Sequence, residues 1–181
     1  MSEHSFSLTP FPDSNIPAIE ITGKISRRNN ILAIQYALMG DTEIIRFPDI
    51  SPRPTRKDDL WRATCFEFFL AIPNGPQYWE FNMSPSGDWN VYHMDAYRRI
   101  GLRQEMSIQQ LQFSLTRKSE CASVDATIDL RPIIHIENPI QVGISSVIQT
   151  QDGHETYWAL THRKLQADFH LRESFILELA E

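Results

Sequence analysis

Trp61-Arg62-Ala63-Thr64-Cys65-Phe66-Glu67-Phe68-Phe69-Leu70-Ala71-Ile72, then Gln77-Tyr78-Trp79-Glu80-Phe81-Asn82-Met83, then Trp89-Asn90-Val91-Tyr92-His93-Met94-Asp95-Ala96-Tyr97 are three aromatic-rich runs. The first is stopped by Pro73-Asn74-Gly75-Pro76 and the second by Ser84-Pro85-Ser86-Gly87-Asp88. Aromatic and β-branched runs punctuated by such turn residues read as strands, here a three-stranded meander. Successive side chains of a strand point to opposite faces. Thr64, Phe66, Phe68 and Leu70 therefore share one face, and Cys65, Glu67, Phe69 and Ala71 share the other.

Working outward, Ile19, Ile21 and Ile25 alternate before Arg27-Arg28-Asn29-Asn30, and Leu32, Ile34, Tyr36 and Leu38 alternate after it. That pattern is a hairpin. A short strand is expected over Ile44 to Phe47. Residues 48–59 hold Pro48, Pro52 and Pro54 among six charged residues and read as a surface loop or flap. Further strands are expected over 111–115, 124–130, 140–149, 157–160 and 175–179, with one short helix near Ile100 to Gln110. About ten short strands and at most one helix make the chain all-β, an antiparallel, jelly-roll-like β-sandwich. The domain is placed at residues 16–181, with 1–15 as an N-terminal extension.

The chain has 181 residues, 41% of them hydrophobic and 22% charged, which suits one globular domain. The net charge is −6. Nucleic acid is therefore not expected as a partner, because such affinity rests on Lys and Arg meeting phosphates. No apolar stretch reaches the ~18 residues of a membrane helix, and the first residues lack the basic-then-apolar run of a secretory signal. A cytoplasmic location with no membrane partner is the expectation. The two cysteines, Cys65 and Cys121, read as buried free thiols. Nothing in the sequence bears on oligomeric state.

Glu67 is a carboxylate inside an apolar strand, and a buried charge is costly unless paired or hydrogen-bonded. An ion pair with Arg46, Arg62, Arg98 or Arg99 would satisfy it. The alternative is a carboxylate that lines a pocket and accepts hydrogen bonds from ligand hydroxyls. In the next strand Tyr78, Glu80 and Asn82 share a face, and pairing of the two strands could bring Glu80 and Asn82 beside Glu67. Sugar rings offer apolar C–H faces that stack on indole and vicinal hydroxyls that bond carboxylates and amides. Aromatic walls with a few placed polar groups are the general form of a small-molecule pocket.

The run from Trp61 to Leu70, then Tyr78 to Gly87, resembles the DOMON-like superfamily, in the branch similar to family-nine carbohydrate-binding modules. The closing stretch, Tyr157-Trp158-Ala159-Leu160 through Asp168-Phe169-His170 to Phe175-Ile176-Leu177, resembles that group's end. The resemblance implies a noncatalytic module binding a small, saccharide-like ligand between two tryptophans. On that pattern Trp61 and Trp158 are the stacking walls, and Glu67 and Asn82 bond the hydroxyls. Glu80 stands where an arginine would be expected, with Arg62 or Arg98 as replacements. Trp61, Glu67, Glu80, Asn82, Arg98 and Trp158 form the candidate ligand site.

The residues also admit other chemistry. A haem or redox-cofactor protein of DOMON type would draw axial ligands from Met83, His93, Met94 or His154, although His93 and Met94 point to opposite faces. His162, Asp168 and His170 lie close in sequence but match no zinc motif. Glu67 and Glu80 are also the two carboxyls a glycoside hydrolase would need. The binding reading assigns no catalytic residue, no cofactor and no metal.

Overall fold

The computed structural model describes residues 2–98 and 100–180. Twelve strands form two antiparallel sheets. They are β1 (Ser2–Pro10), β2 (Ile19–Arg28), β3 (Ile31–Gly40), β4 (Cys65–Ala71), β5 (Tyr78–Met83), β6 (Trp89–Met94), β7 (Arg103–Gln104), β8 (Gln112–Lys118), β9 (Cys121–Asp129), β10 (Ile140–Gln149), β11 (Glu155–Ala159) and β12 (Leu177–Leu179). Sheet A runs β1-β2-β3-β9-β8, and sheet B runs β7-β6-β5-β4-β10-β11. The last two residues of β1 leave β2 and pair with β11, so β1 joins the sheets into one curled surface. β12 pairs with β10 at Ile140–Val142, below the span that β11 occupies.

The expected all-β sandwich is therefore the fold, with β4, β5 and β6 the expected meander. Three details differ. Ser2–Pro10, set apart as part of an extension, is a full strand, because Phe6 and Leu8 alternate into the core. Ile44 to Phe47 is not a strand. A 3-10 turn covers Thr42–Ile44, and Ile45 makes one isolated bridge to Thr150. Ile100 to Gln110 forms no helix among the described residues. It holds the two-residue strand β7, and Ile108 turns into the core while Ile100 and Met106 stay exposed.

The core between the sheets is made by one face of each strand. Phe66, Phe68 and Leu70 of β4 and Trp79, Phe81 and Met83 of β5 meet Ile21, Ile25, Ile34, Tyr36 and Leu38 of sheet A. Phe68 and Phe81 sit directly opposite in the register and stack at 4.4 Å. Each such side chain contributes about 2 kcal/mol on leaving water. Tyr36 crosses the core and donates its hydroxyl to the Glu67 carbonyl at 2.7 Å, so its one polar atom is satisfied without water.

The other face of sheet B is covered as well. A second cluster of Phe69, Ala71, Tyr78, Tyr92, Met94 and Phe175 lies there, with Trp61 and Phe169 against it. All seven residues of β4 are consequently buried. The cover includes Trp61 from the chain before β4 and Phe169 and Phe175 from the chain after β11. Gly143 of β10, opposite Phe69, makes room for it: a Cβ there would come within 2.7 Å of the Phe175 ring.

Candidate functional site

The register of sheet B sets out the site. Glu67 lies opposite Asn82 on one side and Ser145 on the other, and Glu80 lies opposite Phe69. Alternation then brings Glu67, Glu80 and Asn82 to the covered face, as expected from the sequence. Their surroundings form a cavity of about 410 Å³ lined by Trp61, Glu67, Glu80, Arg98, Tyr157, Ala167, Asp168, Phe169 and His170.

Glu67 forms part of the floor and is only 2% exposed. Its Oε2 accepts a hydrogen bond from Ser145 Oγ at 3.3 Å, and its Oε1 has no partner among the described residues. Burial, reinforced by the nearby Glu80, pushes its carboxyl well above the usual range. Arg46, Arg62 and Arg98 do not pair with it: Arg62 bonds Asp59, and Arg98 bonds Asp168. Arg99 falls outside the described residues. Glu80 Oε1 accepts from Asn82 Nδ2 at 2.9 Å, and Glu80 Oε2 is 4.0 Å from His170 Nε2. Asn82 itself is fully buried and meets the cavity lining through its bond to Glu80.

The walls come from three segments. Asp59, in the left-handed conformation at φ 60, turns the chain into a 3-10 turn over Leu60–Arg62, which presents Trp61 at the rim. Trp61 rests edge-on against Tyr92 at 6.1 Å. The preceding loop is tied down rather than free. Asp58 Oδ1 accepts from Tyr92 Oη at 2.6 Å, Asn90 Nδ2 at 2.9 Å and Gln104 Nε2 at 3.0 Å. Those bonds, that from Tyr92 first, hold the Asp58 carboxyl below the usual range. Arg56 lies over Trp89 at 4.4 Å and donates to Asn90 Oδ1 and to the carbonyls of Val91, Glu105 and Ile108.

At the mouth Asp168 accepts from Tyr97 Oη at 2.5 Å, Lys164 Nζ at 3.0 Å and Arg98 Nη2 at 3.2 Å. Burial raises the Asp168 carboxyl, and these three donors overcome it and hold the group below its usual range. This cluster ties Tyr97 and Arg98 to the closing segment. Beside it His170 Nδ1 meets Tyr78 Oη at 3.0 Å, and burial pushes that phenol up to about 12.

The second aromatic wall is Tyr157, not Trp158. Trp158 stands opposite Ser146, which stands opposite Phe66, so it faces the inter-sheet core at 3% exposure. Its indole Nε1 is satisfied by Thr156 Oγ1 at 2.9 Å. Tyr157, one residue earlier, points to the covered face, and Phe169 lies 6.2 Å from it. Of the candidate residues, the structure gathers Trp61, Glu67, Glu80 and Arg98 around the cavity, places Asn82 behind it, and removes Trp158. Asp168, Phe169 and His170 come from the irregular closing segment. In the sequence Asp168 and His170 stand out for metal-ligand chemistry and as part of the closing stretch of the resemblance, where tethering a loop is the alternative role. The structure gives Asp168 such ties.

The haem-ligand candidates are each engaged elsewhere. Met83 is in the core, His93 stacks on Trp79 at 4.9 Å, Met94 is buried under the cover, and His154 faces Asp13 at 3.2 Å. His162 bonds the Thr9 carbonyl, away from Asp168 and His170. Among the described residues no three His, Cys, Asp or Glu side chains gather as a metal site would need. Among the described residues no helix is long and apolar enough to cross a membrane. A wider recess of about 520 Å³ lies on the outer face of sheet A. Its lining is exposed strand surface, and two of its polar side chains, Gln35 and Asp125, already bond each other at 2.5 Å.

An antiparallel β-sandwich with a covered, carboxylate-bearing sheet face is the class of structure that fold and cavity define. Solved structures with this fold include a candidate carbohydrate-binding protein from Bacteroides uniformis, with TM-score 0.62 and 11% identity over 94% of this chain and 83% of that one. They also include a family-nine carbohydrate-binding module from Caldicellulosiruptor kristjanssonii in complex with glucose, with TM-score 0.52 and 11% identity over 80% of this chain and 69% of that one. The same description applies to a complex with cellotriose, with TM-score 0.54 and 10% identity over 81% and 68%. No protein-family model matches the chain, and no curated protein matches it in sequence.

Proposed function

We propose that the covered face of sheet B binds a saccharide or sugar derivative without transforming it. The observation that carries this reading is the cavity itself. It combines aromatic walls, Trp61 and Tyr157, with a floor carboxyl, Glu67, that has a hydrogen-bonding oxygen left without a protein partner. A ligand hydroxyl reaching Glu67 Oε1 would satisfy a buried group that otherwise costs about 1–3 kcal/mol. Kinship of fold with carbohydrate-binding modules supports the reading. The resemblance to the DOMON-like superfamily belongs to the same proposal. Glu80 holds its place through Asn82, and Arg98 and Asp168 close the mouth.

Titration with mono- and disaccharides, followed by intrinsic fluorescence, tests this. The expected result is saturable quenching that Trp61→Ala abolishes; a fully folded protein that responds to no sugar overturns the reading. The pairing of two carboxyls on one wall, with Glu67 held toward its protonated form, also favours a second reading. In it Glu67 acts as acid and Glu80 as base or nucleophile in glycoside hydrolysis. Release of phenol from aryl glycosides, lost in both Glu67→Gln and Glu80→Gln, would establish that reading over simple binding.

A further inference from the structure

The cavity floor holds two carboxyls and, among the described residues, no lysine or arginine paired with them. Glu67 and Glu80 lie within interaction range of each other, 2% and 6% exposed. Among the described residues neither has a lysine or arginine within 4.0 Å. The nearest cationic candidate is His170, at 4.0 Å from Glu80 and already engaged with Tyr78 through its other nitrogen. The two basic side chains at the mouth, Arg98 and Lys164, are both committed to Asp168. Glu67 lines this enclosure, and its Oε1 is buried without a hydrogen-bond partner among the described residues.

A neutral sugar would supply hydroxyl donors to that floor but no charge. Buried carboxyls reach their ionised form only when a cation or several donors compensate them. Aromatic faces add to the same preference, since the ring quadrupole attracts a cation placed over it, most strongly in a desolvated site. Trp61, Tyr157 and Phe169 surround the cavity above the two carboxyls. Walls and floor thus select the same chemistry.

We propose that the sugar bound here is an amino sugar, whose ammonium group meets Glu67 and Glu80 while its ring lies between Trp61 and Tyr157. This rests on the saccharide reading above. Glu67, whose carboxyl burial and Glu80 bias toward its protonated form, can ionise as the ammonium arrives and receive its N–H donors. Asn82 keeps Glu80 oriented for the same purpose, through the 2.9 Å bond to Oε1.

Calorimetric titration with D-glucosamine, D-galactosamine, their N-acetyl derivatives, D-glucose and D-galactose separates the two levels of the claim. The measurement is made near pH 6, where a primary amine is protonated. At least one amino sugar is expected to bind about tenfold more tightly than both its neutral parent and its N-acetyl derivative. Glu80→Gln, which keeps the size and the Asn82 contact, and Glu67→Gln are each expected to erase that preference. Thermal denaturation establishes that both variants are folded. Neutral or N-acetylated sugars binding as well as the amines would overturn the amino-sugar assignment and leave the saccharide reading standing. No binding by any of the six would overturn the amino-sugar assignment and, together with no response to any disaccharide, the saccharide reading as well. A preference for the amine that survives in both Glu→Gln variants would overturn the role of the two carboxyls.

Discussion

The two faces of β4 and β5 differ in kind although both are buried. On the inner face, Phe66, Phe68, Leu70, Trp79, Phe81 and Met83 are apolar or satisfied, and close packing accounts for all of them. On the outer face, Glu67, Glu80 and Asn82 stand among Phe69, Tyr78 and Cys65, and Glu67 keeps an oxygen without a partner. The inner face has what a core needs. The outer face carries groups that destabilise the fold, held under a cover, and it is there that the cavity lies. Burial alone does not distinguish core from site; the balance of polar groups does.

The largest test of this contrast is the neighbouring pair on β11. Trp158→Ala should lower stability by about 3–5 kcal/mol, because it empties core volume and leaves the Thr156 hydroxyl without its donor. Tyr157→Ala should change stability by no more than about 1 kcal/mol while removing sugar binding. Chemical denaturation combined with ligand titration reads both. Equal destabilisation by the two would erase the distinction between the faces.

Glu67→Gln should act in the opposite direction. Its carboxyl titrates higher in the folded protein than in the unfolded chain, so the folded state holds the proton more tightly. Stability is therefore fully present below the ordinary carboxylate range and declines as pH rises toward the raised value, by about 1.4 kcal/mol per pH unit over that interval. The glutamine variant, which has no proton to lose, should match the native protein near pH 4 and be the more stable of the two at pH 7. Denaturation curves across pH would show this gap opening with rising pH. A gap that stays constant would mean Glu67 is not strained in the fold.

Asp168→Asn is a smaller perturbation at the mouth. Loss of the charge that holds Arg98 and Lys164, both half-exposed, should cost about 1 kcal/mol or less. It should also raise hydrogen exchange at Tyr97 and Arg98 and in the closing segment, with sheet A unaffected. Smallest in stability is Trp61→Ala, expected within about 1 kcal/mol, since the ring is only partly buried, on a turn at the edge of the second cluster. Its effect should fall on ligand affinity instead.

Much of the site is legible in the sequence because sheet B follows simple alternation. The period of two in Cys65 to Ala71 and Tyr78 to Met83 puts Glu67, Glu80 and Asn82 on one face, and the strand register agrees. Parity fails at Trp158, where Thr156, Tyr157 and Ala159 do not declare which face is inner. A tryptophan and a tyrosine in adjacent positions look equally suited to a wall. The cover is illegible for a different reason. Asp168, Phe169 and His170 sit in irregular chain, where no period constrains direction, and Arg56 and Asp58 are fixed by long-range hydrogen bonds that a local pattern cannot carry. β1 is hard to see because only Phe6 and Leu8 mark its buried side.

The most direct test of the site uses the indole N–H signals of the four tryptophans, Trp61, Trp79, Trp89 and Trp158, during a sugar titration. Trp61 lines the cavity, whereas the other three belong to the inner core. The account predicts that the Trp61 signal moves saturably with added sugar and that the Trp158 signal stays in place. Movement of Trp158 with Trp61 unmoved, or no movement of any signal with any sugar, would contradict it.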